Sequence, residues 1–201
     1  MPSRPSRTLT AVLAATAILI AGCSTDGDAD TPAATVETFQ FASPGGALEI
    51  TYPEEERRPV TPFSGESLKN PGEIIDLSDY DGEVVVLNAW GQWCGPCRTE
   101  SDDLQVVQDE LEGHGGTVLG INVRDYSPEI SRDFMADNGL TYPSIYDPPF
   151  KTAAALGGIP ASVIPTTIVL DRKHRPAAVF LREITADDIL AVTGPLLEEA
   201  P

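Results

Sequence analysis

The chain has 201 residues, 41% of them apolar, and carries 31 acidic against 13 basic side chains for a net charge of −18. Length and apolar content support one domain with a real core plus appendages. The charge excludes nucleic acid as a partner, because a polyanion is bound by neutralising its phosphates with lysine and arginine, and it opposes attachment to anionic lipid by charge alone.

Residues 1–22 carry Arg4 and Arg7 and then an apolar run from Leu9, with no acidic residue before Asp26. A basic start followed by about a dozen apolar residues has the form of a secretory signal peptide, and it falls short of the roughly 20 residues of a spanning helix. LIAGC at residues 19–23 resembles a bacterial lipobox, which implies that Cys23 is acylated and becomes the mature amino terminus. Two acyl chains anchor firmly where one binds only marginally. The expected location is therefore the outer face of the cell membrane, lipid-anchored after signal cleavage, where disulfides persist. Residues 23–56 are small, polar and acidic without apolar periodicity and read as a flexible acidic tether, with room for a short strand and a charged loop in ALEITYPEEERRP, residues 47–59. The folded domain is expected over residues 57–201.

Within it, residues 73–76 predict a short strand, and the unbroken apolar run at residues 84–89 predicts a central parallel strand buried on both faces. Leu104, Val107 and Leu111 lie three to four apart on one face of a helix that starts about Cys94 and ends at the GHGG of residues 113–116. Residues 117–123 form the next strand. Ser127, Pro128 and Glu129 supply a cap, a first-turn proline and an acid for a helix ending near Asn138-Gly139. A short strand in YPSIYD, a short helix in KTAAALGG and strands in TTIVLD and PAAVFL follow. Thr185 caps a final helix that Gly194-Pro195 is expected to kink or break. Strands alternating with helices, then two adjacent strands and a helix, indicate an α/β domain with a mixed sheet.

The chemistry lies in WGQWCGPCRTE, residues 90–100, where Cys94 and Cys97 flank Gly95 and Pro96. A zinc site needs two further thiol or imidazole ligands, and only His114 and His174 remain, far apart and in turn settings that suit solvated side chains, so no metal is expected. A purely structural disulfide across so short a loop constrains the unfolded chain little. A redox couple needs one ionised, exposed thiol and a second within reach of it. A strand feeding a helix that begins near Cys94 supplies both, because the helix terminus favours a thiolate there and Cys97 lies one turn further in.

WCGPC resembles the active site of the thioredoxin superfamily. The wider pattern, comprising VVVLNAWGQWCGPCRTE, GINV, an insertion between Arg124 and Phe150, and VIPTTIVLD, resembles the TlpA/ResA-like membrane-tethered thiol-disulfide oxidoreductases. The resemblance implies a thioredoxin-like fold: a central mixed sheet flanked by helices, with a TlpA-type insertion. It implies Cys94 as the attacking thiol, Cys97 as the resolving thiol, and Pro165 as a cis-proline facing them, so that the backbone of Ile164 pairs with a bound substrate strand. Trp93, Gly95 and Pro96 would frame that substrate, with Trp90 beneath the disulfide. Asn88 stands where small thioredoxins carry a buried aspartate and cannot relay a proton. Glu100 matches a glutamate of the ResA-like subset, one turn beyond Cys97, and would tune a thiol or carry its proton. Asp102 replaces a proline common in the family, which puts the usual kink of this helix in question. No cofactor is implied beyond the Cys94/Cys97 disulfide. The implied partners are thiols or disulfides of exported proteins, apocytochrome c cysteines among them, a membrane thiol donor, and the membrane through the anchor. The resemblance favours a reductase. The alternatives are an oxidant of exported proteins and a copper-handling module of related fold, which would add a histidine beside the thiols.

Overall fold

The structure, a computed structural model, describes residues 37–199. The expected signal peptide, Cys23 and residues 23–36 of the expected tether lie outside the described residues. In chain order the described strands are β1 (Glu49–Thr51), β2 (Ser64–Glu66), β3 (Ile74–Asp76), β4 (Val84–Trp90), β5 (Gly116–Asn122), β6 (Ser144–Tyr146), β7 (Thr166–Leu170) and β8 (Pro176–Phe180). The α-helices are α1 (Gly95–Thr99), α2 (Ser101–Leu111), α3 (Pro128–Asp137), α4 (Thr152–Ala155) and α5 (Ala186–Glu198).

The main sheet has the order β1-β8-β7-β4-β5-β6. Strand β4 runs parallel to β5 and antiparallel to β7, which makes the sheet mixed. Strands β2 and β3 form an antiparallel hairpin that touches the edge strand β6 through the Ser67–Ile145 bridge. Every residue of β4 is buried because its side chains alternate between two cores. Val84, Val86 and Trp90 pack with Leu104, Val107 and Leu111 of α2 and Ile189 and Leu196 of α5. Val85, Leu87 and Ala89 pack with Val60, Phe150, Leu156 and Ile159 on the opposite face. Full burial of a large aliphatic side chain is worth about 1.5–3 kcal/mol, and a one-residue slip would exchange the two faces, so the register is fixed.

That register sets the two ends of the molecule. Ala89 pairs with Thr166 and Val85 with Leu170, so the segment entering β7 faces the exit of β4 while the β7–β8 hairpin lies at the opposite end. The turn carrying the cysteines and the Ile164-Pro165 segment therefore meet at one edge of the sheet.

Three features differ from the sequence reading. The ordered body extends well before residue 57. Strand β1 pairs with β8, Phe39 is only 6% exposed and meets Tyr52 edge to face at 5.4 Å, and Arg57 joins Glu199 at 3.1 Å. The apolar residues of residues 37–56 show no local period because much of what orders them, β8 and the Gly157 carbonyl, lies more than a hundred residues away. The helix after the cysteines is interrupted at Glu100 despite Asp102, giving α1 and α2; a buried carboxylate held from two sides pins the chain at that point. Helix α5 continues through Pro195 to Glu198. The residue before a proline is crowded through its Cβ, and Gly194 has none.

Candidate active site

Strand β4 ends at Trp90, the chain turns through Gly91, Gln92 and Trp93, and α1 begins with Cys94 as its N-cap. The turn is tight. The Cys94 N–H donates to the Gly91 carbonyl at 3.0 Å, and a Cβ on Gly91 would stand 2.8 Å from the Val123 carbonyl oxygen. The end of β5 clamps it from the side, with the Val123 N–H donating to Trp90 O at 2.8 Å and the Trp93 indole N–H donating to Val123 O at 3.0 Å. Cys94 and Cys97 form a disulfide with their Cα atoms 5.3 Å apart. The Cys97 N–H donates to Cys94 Sγ at 3.2 Å, so the sulfur occupies the place of a helix-capping acceptor.

The Ile164–Pro165 peptide is cis, and the Ile164 carbonyl oxygen lies 3.8 Å from Cys94 Sγ. Cys94 is less open than a reactive thiol was expected to be, at 4% exposed against 2% for Cys97. The reason is that Ile164 packs against the cluster holding both cysteines. Gly95, Pro96 and Trp93 are the exposed members of the turn, Trp93 at 47%. Trp90 is buried in the same cluster as the cysteines, and its indole N–H donates to Ser144 Oγ at 3.2 Å.

Glu100 lies one helical turn beyond Cys97 and is fully buried. Its Oε1 accepts from Asn88 Nδ2 at 2.8 Å and its Oε2 from the Ile184 N–H at 3.0 Å. Asn88 also donates to Thr167 Oγ1 at 3.0 Å. Burial pushes the carboxyl up to about 7, with Glu183 and Asp103 adding to the rise and the two N–H donors opposing it. The carboxyl is thus held far above its usual range, three residues along the chain from Cys97. The structure brings Cys94, Cys97, Glu100, Asn88, Ile164 and Pro165 to one end of the sheet.

His114 and His174 are not part of this assembly. The His174 ring contacts Tyr80 O at 3.1 Å from the β7–β8 hairpin, at the far end of the sheet, and the His114 ring contacts Glu110 O at 3.0 Å. A histidine beside the thiols, which the copper-handling alternative requires, is absent among the described residues.

Asp125 was not singled out in the sequence. One of its carboxylate oxygens accepts from the Gln92 N–H at 2.7 Å, from Asn122 Nδ2 at 2.8 Å and from Ser131 Oγ at 2.8 Å. A single buried oxygen thereby joins the redox turn, the end of β5 and helix α3. No motif announces it, since the donors come from three separate segments.

The AhpC/TSA family profile matches residues 57–175. The chain belongs to that family. The chain is 64% identical to a secreted thiol-disulfide isomerase from Corynebacterium glutamicum, with a TM-score of 0.79 over 81% of this chain and 99% of that one. It is 65% identical to a DsbF homologue from Corynebacterium diphtheriae, with a TM-score of 0.76 over 79% of this chain and 99% of that one. The thiol-disulfide oxidoreductase ResA of Geobacillus kaustophilus is 31% identical over 114 residues, which is 56% of this chain. The match spans 63% of the length of that curated relative. The thioredoxin-like fold and the kinship with ResA-like thiol-disulfide oxidoreductases, expected from the motifs, are both borne out.

Proposed function

We propose that this protein exchanges disulfides with exported proteins outside the cytoplasmic membrane, acting as a protein disulfide reductase tethered through acylated Cys23. The observation that carries the reading is the Cys94–Cys97 disulfide at the start of α1, with the Ile164 carbonyl beside Cys94 and the Glu100 carboxyl buried at the end of the same short helix.

The chemistry follows from this arrangement. In the reduced protein the Cys94 thiolate is favoured by the helix terminus and by the Cys97 N–H. An extended client segment pairs with the Ile164 backbone between Trp93 and the Gly95-Pro96 step. Cys94 Sγ attacks one client sulfur, a new S–S bond forms, and the other client sulfur leaves with the bonding electrons as a thiolate. Glu100 accepts the proton of Cys97, whose thiolate then attacks Cys94 Sγ and releases the client's second thiolate. The client gains two electrons, and the protein is left as the disulfide. A membrane thiol donor returns it to the dithiol. Apocytochrome c cysteines before haem attachment are one substrate of suitable chemistry, and residues 23–36 remain as the proposed tether.

The deciding measurement is the equilibrium reduction potential of the Cys94/Cys97 couple. A value near about −270 mV, as in thioredoxin, is expected, whereas one near about −120 mV, as in DsbA, would reverse the direction to oxidation. Cys94→Ala should abolish insulin disulfide reduction, and Cys97→Ala should accumulate mixed disulfides with clients. Retained reduction in Cys94→Ala defeats the proposal as a whole.

A further inference from the structure

Both oxygens of the buried Glu100 carboxylate face N–H donors, Asn88 Nδ2 on one side and the Ile184 backbone on the other. This environment suits the anion and leaves a proton on Glu100 with no acceptor. The Ile184 amide cannot reverse its polarity. The Asn88 side chain can, because an amide turned by half a revolution exchanges its oxygen and nitrogen in nearly the same volume. Asn88 Oδ1 is itself buried without a hydrogen-bond partner, so the turn gives the oxygen the two partners that Nδ2 now holds and leaves the nitrogen in the unpartnered place, an exchange that the proton on Glu100 must favour. Turned, it would lie where Nδ2 now lies, 2.8 Å from Glu100 Oε1 and 3.0 Å from Thr167 Oγ1. Those two groups are the ones that could donate to it, a protonated carboxyl and a hydroxyl.

We infer that Asn88 is a positioning residue that turns its side-chain amide as Glu100 gains and loses the Cys97 proton, donating to the carboxylate and accepting from the carboxylic acid. The inference rests on the proton role proposed for Glu100. In the resting carboxylate, Asn88 Nδ2 donates to Oε1. When Cys97 Sγ–H gives up its proton to become the attacking thiolate, that proton resides on Oε1 and points at Asn88 Oδ1, while Oε2 keeps its bond from Ile184. When the proton leaves again, the amide turns back. An aspartate at this position would be a second buried acid competing for the proton, whereas an asparagine supports either state of Glu100 and holds none itself.

The surroundings offer Glu100 no other acceptor among the hydrogen bonds of the described residues. From α2 it faces Asp103, which is engaged with the Ala186 N–H at 2.9 Å. From the segment before α5 it faces Glu183, and from the β5–β6 connection the buried Tyr142, whose own ionisation Glu100 opposes. Cys97 stands on α1 and Thr167 contributes only a hydroxyl from β7. The neighbouring charges are all acidic, so they favour the arrival of the proton, and none of them is hydrogen-bonded to Glu100, whose partners are Asn88 and Ile184.

The test uses the reduced full chain, labelled with nitrogen-15 and carbon-13, titrated through neutral pH. Nuclear Overhauser contacts from the Asn88 Nδ2 protons to the Glu100 side chain and to Thr167 should be present at high pH. They should vanish with the midpoint of the Glu100 carboxyl carbon. Contacts that persist unchanged while the carboxyl titrates overturn the inference. Asn88→Leu removes donor and acceptor together. A turning amide then leaves the Glu100 midpoint near its original value, whereas a fixed donor lets it rise by about one pH unit or more, which also overturns the inference. Should Asn88→Leu fail to fold, the contacts in the unaltered chain decide alone. An unchanged pH profile for resolution of a mixed disulfide by Glu100→Gln would instead remove Glu100 from the thiol chemistry and leave the turning amide standing on its own evidence.

Discussion

Replacing Glu100 by glutamine converts a buried acid into a neutral group of nearly the same shape, and its effect on stability depends on pH in a calculable way. The carboxyl is raised from 4.5 to about 7 by burial. Stability linked to a raised acid is fully present below the unfolded value and is lost as pH rises through the folded value, because the unfolded chain ionises first. The window therefore runs from about pH 4.5 to about pH 7. At about 1.4 kcal/mol per pKa unit the loss amounts to roughly 3 kcal/mol, and full burial means that solvent does not discount it. Glu100→Gln lacks this dependence. Urea unfolding of the oxidised protein and the variant between pH 5 and pH 8.5 should give free energies whose difference moves by about 2–3 kcal/mol in favour of the variant. Using the oxidised form removes the thiols from the titration, and taking the difference removes every other ionising group. A constant offset between the two curves is tolerable, since glutamine alters the bonds to Asn88 and Ile184. Parallel curves across this range would refute the reasoning, since Glu100 would then ionise alike in the folded and unfolded chains.

Two further outcomes are expected. Asp125→Ala strands the Gln92 N–H, Asn122 and Ser131 at once; hydrogen bonds to a charged group are worth about 1.5–3 kcal/mol each, so urea unfolding should register a loss of at least about 2 kcal/mol, with slower insulin reduction as the redox turn loosens. A chain beginning at residue 57 loses β1, Phe39 and Tyr52 and uncovers the edge of β8, so its thermal midpoint should fall by about 10 °C or more; an unchanged midpoint would return residues 37–56 to the tether.

What the sequence made legible was whatever is encoded locally. The apolar run of β4, the spacing of Leu104, Val107 and Leu111, and a cysteine at a strand-to-helix junction each carry their meaning within a dozen residues, and all of them lie where the pattern puts them. The placement of Glu100 near Cys97 follows from the helical period, but its partners do not. Asn88 comes from twelve residues upstream and Ile184 from 84 residues downstream. Asp125 and the pairing of β1 with β8 were missed for the same reason, since a carboxylate collecting donors from three segments, or a three-residue strand finding its partner across the chain, has no signature until the fold exists. Helix α5 passing through Pro195 is the opposite case, a local rule relaxed by the glycine before it.

The outer strands of the main sheet, β1 and β6, are three residues long, and the bridge from the β2–β3 hairpin meets β6. On the proposed reading, this protein spends its working life among unfolded exported chains, each rich in backbone looking for a strand to join. Long open edges would make it a template for their aggregation. Short edges, with Glu49 and Thr51 exposed on β1, offer such chains little backbone to join away from the proposed docking place at Ile164. The brevity of these strands thus acts as selectivity in where an unfolded chain is allowed to adhere.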